Sequence, residues 1–278
     1  MIFHGDGRKP RPFPHFPMNR EPSTPAPRTI RRAVRMILPT ALILPLVGYF
    51  SGVDYDTIAD NTANVVRGIM PMVGLSLIWG LVVSWRSGWL RPIVARQPAS
   101  ALPGFLWWLP FCWFGLCLIR LVSSPWPEFD ASYLGILAFA MILVGINEEL
   151  LFRGILAYGA RGPGPWSEAR TMLVSALGFG LFHLPNLLVG QAAGPTLIQV
   201  TYAFLMGITL SVSMRLSRGI VLPVAMHALW DFSTFTSKSH PPDTALSLAS
   251  LTLVLGMLIL NLSAVVWCLG KKSLPVEP

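Results

Sequence analysis

The chain reads as an all-α, polytopic integral membrane protein, with about eight transmembrane helices around an intramembrane polar cavity. Three observations predict this. Charged residues make up only 12% of the 278 and hydrophobic ones 53%, where soluble domains carry about 25% charge. The apolar residues gather in runs, several of them near the roughly 20 residues that cross a hydrocarbon core. The basic residues that give a net charge of +8 lie between those runs rather than on one face, so they mark topology and not a nucleic-acid partner.

Residues 1–33 carry Pro10, Pro12, Pro14, Pro17, Pro22, Pro25 and Pro27 among Arg and Lys, a composition that cannot bury a core. They are expected to form a disordered, basic, cytoplasmic tail. Arg31-Arg32 is a weak echo of a twin-arginine signal, but no small-residue cleavage site follows, so it reads as the basic flank of the first span.

The transmembrane domain is expected over 34–270, with apolar segments at roughly 34–51, 67–85, 103–123, 131–158, 170–190, 195–214, 219–235 and 246–269. The third is rich in Trp, with Trp107, Trp108 and Trp113, the ordinary mark of a membrane interface. Gly159 to Trp166, rich in Gly and Pro, reads as a loop after the fourth. The seventh is short and polar at its end. Cys112, Cys117 and Cys268 sit in apolar segments without metal-ligand spacing and read as core or lipid-facing residues. No internal repeat is evident.

Charge sets the orientation. With the N-terminus cytoplasmic, the inner loops hold Arg86, Arg91 and Arg96, then Arg161 and Arg170, then Arg215 and Arg218, then Lys271 and Lys272. The outer loops hold Arg67 and Lys238 beside Asp54, Asp56, Asp60, Glu128, Asp130 and Asp243. This is the positive-inside pattern, and an even number of spans returns residues 271–278 to the cytoplasm as a second short tail.

Against this apolar background the fourth segment carries Asn147-Glu148-Glu149-Leu150-Leu151-Phe152-Arg153. Ionisable groups at membrane depth are costly, rare and by default functional candidates. Glu149 and Arg153, four apart, share a helix face and can pair. Glu148 lies about 100° round the helix, free of that partner, and roughly 24 Å from the outer end, in the cytoplasmic third. In the fifth segment His183 lies about 18 Å from the inner end, with Phe179 one turn earlier and Pro185 beyond to open the helix. In the seventh, His227 lies about 12 Å from the inner end, with Asp231 one turn further and Pro223 able to bend the helix. Three helices can thus bring Glu148, His183, His227 and Asp231 to one pocket.

That set suits water activation beside an amide. A carboxylate and a His share a water and take its proton as it attacks a carbonyl, while other polar groups stabilise the oxyanion in a low-dielectric cavity. Each element alone has a plainer reading. Paired charges often only hold helices together, and a lone membrane His is often an interhelical hydrogen bond worth roughly 0.6–2 kcal/mol. His240, beside Pro241 and Pro242, reads as a loop residue, and His4 and His15 carry no argument. Coincidence of depth is what favours a site.

Glu148-Glu149-x-x-x-Arg153, Phe179-x-x-x-His183 and His227-x-x-x-Asp231, in that order on separate spans, resemble the three motifs of the CPBP family. That family holds the type II CAAX prenyl endopeptidases and their bacterial relatives, the Abi proteins. The resemblance covers about 131–235, and its most specific part continues through Phe152-Arg153-Gly154. It implies an eight-span fold and a glutamic intramembrane endopeptidase without cofactor or metal. In it Glu148 activates water with His183, His227 and Asp231 form the oxyanion site, and Glu149, Arg153 and Phe179 support them. The prenyl endopeptidases have Asn at the last position. An ionised Asp231 cannot donate to an oxyanion, so it is expected either to be protonated in its apolar surroundings or to orient His227, the second being the favoured reading. The implied partners are the bilayer and a peptide or protein substrate, lipidated or membrane-anchored, and the bacterial relatives imply an inner membrane.

Three other readings use the same residues. Glu148, His183, His227 and Asp231 are a chemically suitable set for zinc, although the His-Glu-x-x-His pattern of common zinc proteases is missing. A non-catalytic immunity or peptide-binding protein would use the same cavity. A proton-coupled transporter is less well supported, because the matched interrupted helices of transporters are missing.

Overall fold

A computed structural model describes residues 26–97, 102–162, 167–238 and 242–271. The readings made for residues 1–25, for His240 and for 272–278 lie outside the described residues. Among the described residues eight long helices follow in order: α1 (Ile30–Ser51), α2 (Thr62–Arg86), α3 (Gly104–Ser123), α4 (Ala131–Arg161), α5 (Glu168–Val189), α6 (Ala193–Ser217), α7 (Val221–Ser237) and α8 (Thr244–Leu269). All but α7 are long and apolar enough to cross a membrane. At 17 residues α7 is shorter, and it is the helix that carries His227 and Asp231.

The helix ends follow from local chemistry. Thr29, Asn61, Ser167 and Asp243 each accept a backbone N–H of the first turn, capping α1, α2, α5 and α8. The α1 helix stops at Gly52, whose φ of 65° is left-handed. The second span starts earlier than the apolar run because Asn61 supplies its cap. The fourth runs on to Arg161, past the point where its glycines were expected to open a loop. Gly159 is there for contact instead: a Cβ on it would stand 2.5 Å from Ala33 Cβ and 2.8 Å from Thr29 O of α1. The turn falls at Gly162, with φ 66°. Glu148 sits near the middle of this 31-residue helix.

Packing concentrates on the helices that carry the polar motifs. A Cβ on Gly145 of α4 would stand 2.9 Å from Val224 O of α7, so the two backbones cross in direct contact. The crossing of α5 and α6 repeats this, Gly180 meeting Val200 O and Gly207 meeting Ala176. Trp113 of α3 donates from Nε1 to Met226 O at 2.9 Å and packs on Trp230, which also stacks on Tyr202 and lies 3.7 Å beneath the Arg120 guanidinium. These contacts clamp α7 from its far side. Leu38, Leu42 and Leu46 of α1, with Leu251, Leu255 and Leu262 of α8, leave an apolar outer surface suited to lipid. The three cysteines are free, with Cys117 and Cys268 buried.

Candidate active site

The α-helix of α4 changes at Glu149 into a π-helical stretch, Leu150–Leu156, whose side chains are all buried. Such stretches are rare and frequently mark functional sites. Within it Arg153 Nη1 meets Glu149 Oε1 at 3.0 Å, both side chains almost wholly buried, so the expected pair forms. Arg153 also lies 4.4 Å over the Phe179 ring.

The contact that sequence spacing does not announce is between α4 and α7. Because Gly145 lets α7 close on α4, Glu149, one turn further on, meets His227. Its Oε1 stands 2.9 Å from His227 Nδ1. An ionised carboxylate only accepts, so Nδ1 carries the proton and Nε2 points the other way. There it finds Glu148 Oε2 at 3.6 Å and Asp231 Oδ2 at 3.5 Å. Glu148, assigned no partner beforehand, therefore shares an imidazole with its neighbour.

The carboxylates differ in access. Glu149 is fully buried, whereas Glu148 and Asp231 keep 14% and 22% exposure and are the more accessible of the three. Glu148 Oε2 is buried and accepts no hydrogen bond. A buried carboxylate oxygen in that state is costly unless water or substrate completes it.

His183 ends α5, where its Nδ1 lies 2.9 Å from Phe179 O. A carbonyl only accepts, so the proton is on Nδ1 and Nε2 is free as a base. The Phe179 ring stands edge-on to both imidazoles, 5.1 Å from His183 and 5.4 Å from His227. Phe179 thus touches both histidines. Glu148 and His183 make no direct hydrogen bond among the described residues, which leaves a shared water as the way they can act together.

Arg153 also borders a small pocket lined by Arg161, Glu168, Thr171 and Arg215. Ser76 Oγ donates to Asn147 Oδ1 at 3.0 Å, tying α2 to the residue before Glu148. Among the described residues no group of three His, Cys, Asp or Glu is arranged to hold a metal ion.

Four residues near the site were missed by the motif reading. Trp230 and Arg120 hold α7 in place, and their signal was only aromatic content and one interfacial Arg. Tyr55 and Gln199 are joined by a 2.7 Å hydrogen bond, and the charges of Asp231 and Glu148 act on the Tyr55 phenol. Nothing in the local sequence of either residue points to the site.

No curated protein matches the chain. Residues 130–233 match the family model described as Type II CAAX prenyl endopeptidase Rce1-like, which takes in α4 to α7 and all three polar motifs. With the order of those motifs and the helical membrane fold, the match makes residues 130–233 a domain of the CAAX-protease-like family of membrane hydrolases.

Proposed function

We propose that the protein is a glutamate-dependent intramembrane endopeptidase, cleaving a peptide or a membrane-associated protein, lipidated or otherwise anchored. The observation that carries this is Glu148 Oε2, a buried carboxylate oxygen that accepts no hydrogen bond and faces His227 Nε2 at 3.6 Å. Glu148, with His183 Nε2, holds a water and draws off its proton as the oxygen attacks the scissile carbonyl carbon. Charge then gathers on the carbonyl oxygen. His227 answers it from Nε2 when both ring nitrogens are protonated, an imidazolium that Glu149 stabilises from Nδ1. Asp231, beside the same Nε2, orients the ring. Collapse of the tetrahedral adduct breaks the C–N bond, and the proton taken from water passes to the leaving amine.

Glu149 and Arg153 act as the fixed pair behind His227, and Phe179 packs against both histidines. The step uses no cofactor and no metal. The positive-inside pattern supports cytoplasmic termini, and the bacterial character of the resembling relatives supports an inner membrane.

The test compares membrane-protein ends in the native host between wild type and Glu148→Gln at equal expression. Ends present in wild type and lost in the variant support proteolysis and identify the substrate. Identical ends, with any phenotype preserved, would move the reading to a non-catalytic peptide-binding protein using the same cavity.

A further inference from the structure

A hydrogen-bond donor outside the family-matched segment is linked to the site through two amide side chains. The loop between α1 and α2 is largely exposed, but Tyr55 within it is half-buried. Its short 3-10 turn, Tyr55–Thr57, is anchored on every side. Tyr133 Oη donates to Ala59 O at 2.6 Å, Asn64 Nδ2 to Thr57 O at 2.8 Å, and Lys238 Nζ to the carbonyl of Asp56 and to Asp60 Oδ1.

From that turn Tyr55 enters a chain of polar side chains. Asn186 Nδ2 donates to Gln199 Oε1 at 3.0 Å, which fixes the orientation of the Gln199 amide. Gln199 Nε2 in turn donates to Tyr55 Oη at 2.7 Å. The chain is rooted in the site, because the backbone N–H of Asn186 donates to His183 O at 3.1 Å. Since Tyr55 Oη is already accepting from Gln199, its own O–H is left to donate elsewhere. No acceptor for it occurs among the described residues. Burial pushes the phenol up to about 12, with Asp231 and Glu148 adding to the rise and Gln199 opposing it, so it stays a neutral donor at working pH.

We propose that Tyr55 is a catalytic hydrogen-bond donor, aimed by the Asn186–Gln199 relay at the carbonyl oxygen of the substrate. This rests on the endopeptidase reading above. It also answers a chemical gap at Asp231, which when ionised cannot donate to an oxyanion. The phenol supplies a hydrogen bond and transfers no proton, so the bonds made and broken are unchanged.

The test adds Tyr55→Phe and Gln199→Met to the comparison of wild type with Glu148→Gln. Turnover is then measured on a quenched-fluorescent peptide spanning the cleaved bond found in that comparison. Tyr55→Phe keeps the ring and loses only the hydroxyl. It is expected to lower kcat by about 100-fold, the scale of losing one oxyanion donor, with KM within about twofold and the melting temperature of wild type. Gln199→Met is expected to fall between the two, since it leaves the hydroxyl present but unaimed. Full kcat in Tyr55→Phe, while Glu148→Gln is dead, overturns this inference alone. A rise in KM with kcat unchanged also overturns it, because the hydroxyl would then bind substrate without serving the transition state. Identical ends in wild type and Glu148→Gln overturn the protease reading and this inference with it.

Discussion

Glu149 Oε1 is shared between His227 Nδ1 at 2.9 Å and Arg153 Nη1 at 3.0 Å, so one buried oxygen joins α4 to α7 and neutralises a buried guanidinium. Removing one partner of such a pair strands the other, at a cost of about 3–5 kcal/mol, whereas removing both is often close to neutral. Glu149→Leu should therefore lower stability by that amount in detergent-solubilised protein. Glu149→Leu/Arg153→Met should recover most of it, and both variants should be inactive because His227 has lost its anchor. Equal unfolding midpoints for the single and double variants would show that Arg153 is satisfied elsewhere.

The same contact depends on Gly145, whose Cβ position lies 2.9 Å from Val224 O. Gly145→Val must push α7 away from α4, and overpacking of this kind costs about 1–3 kcal/mol. Activity should fall further than stability, because a shift of about 1 Å at His227 can cost 100-fold in rate. The check is turnover against melting temperature for Gly145→Ala and Gly145→Val. A Val variant that cleaves normally would sever the link between this crossing and the site.

Much of this was legible in the sequence, for a reason that also sets its limit. Apolar runs and interrupting charges are local signals, so the order of the helices and the three polar motifs could be read directly. The Glu149–Arg153 pair was legible too, since i,i+4 spacing is a property of one helix. The Glu149–His227 contact spans 78 positions and depends on a glycine at a helix crossing, which periodicity does not encode. Gly159 misled for the same reason: its role is contact with Ala33 and Thr29, and local chemistry cannot tell that from a turn. Tyr55 was out of reach because its link to the site runs through Gln199, 144 positions away.

Asp231 lies 3.5 Å from His227 Nε2 with 22% exposure, close enough to orient the ring and open enough to meet substrate. If its charge orients His227, Asp231→Asn should lower kcat at least tenfold in the purified enzyme while the protein stays folded. If the position serves instead as a donor, Asn should preserve or raise turnover, since its amide donates and a carboxylate does not. The direction of the change separates the two roles in a single assay.

Metal dependence is decided by which atoms are free to ligate. His227 Nδ1 and Glu149 Oε1 are bound to each other, and His183 Nδ1 is held by Phe179 O, so each imidazole has only Nε2 to offer. Both imidazoles pack on the same Phe179 ring, with ring centroids 5.1 and 5.4 Å from its own, whereas zinc needs its ligands within about 2.0–2.3 Å of a common point. Turnover should therefore survive extended dialysis against a chelator with less than a twofold change, and added zinc should not raise it. Metal analysis of the same samples completes the check. A stoichiometric divalent ion whose removal abolishes cleavage, and whose return restores it, would require the two histidines to rotate off Phe179 and would replace the glutamate–water mechanism with a metal-bound one.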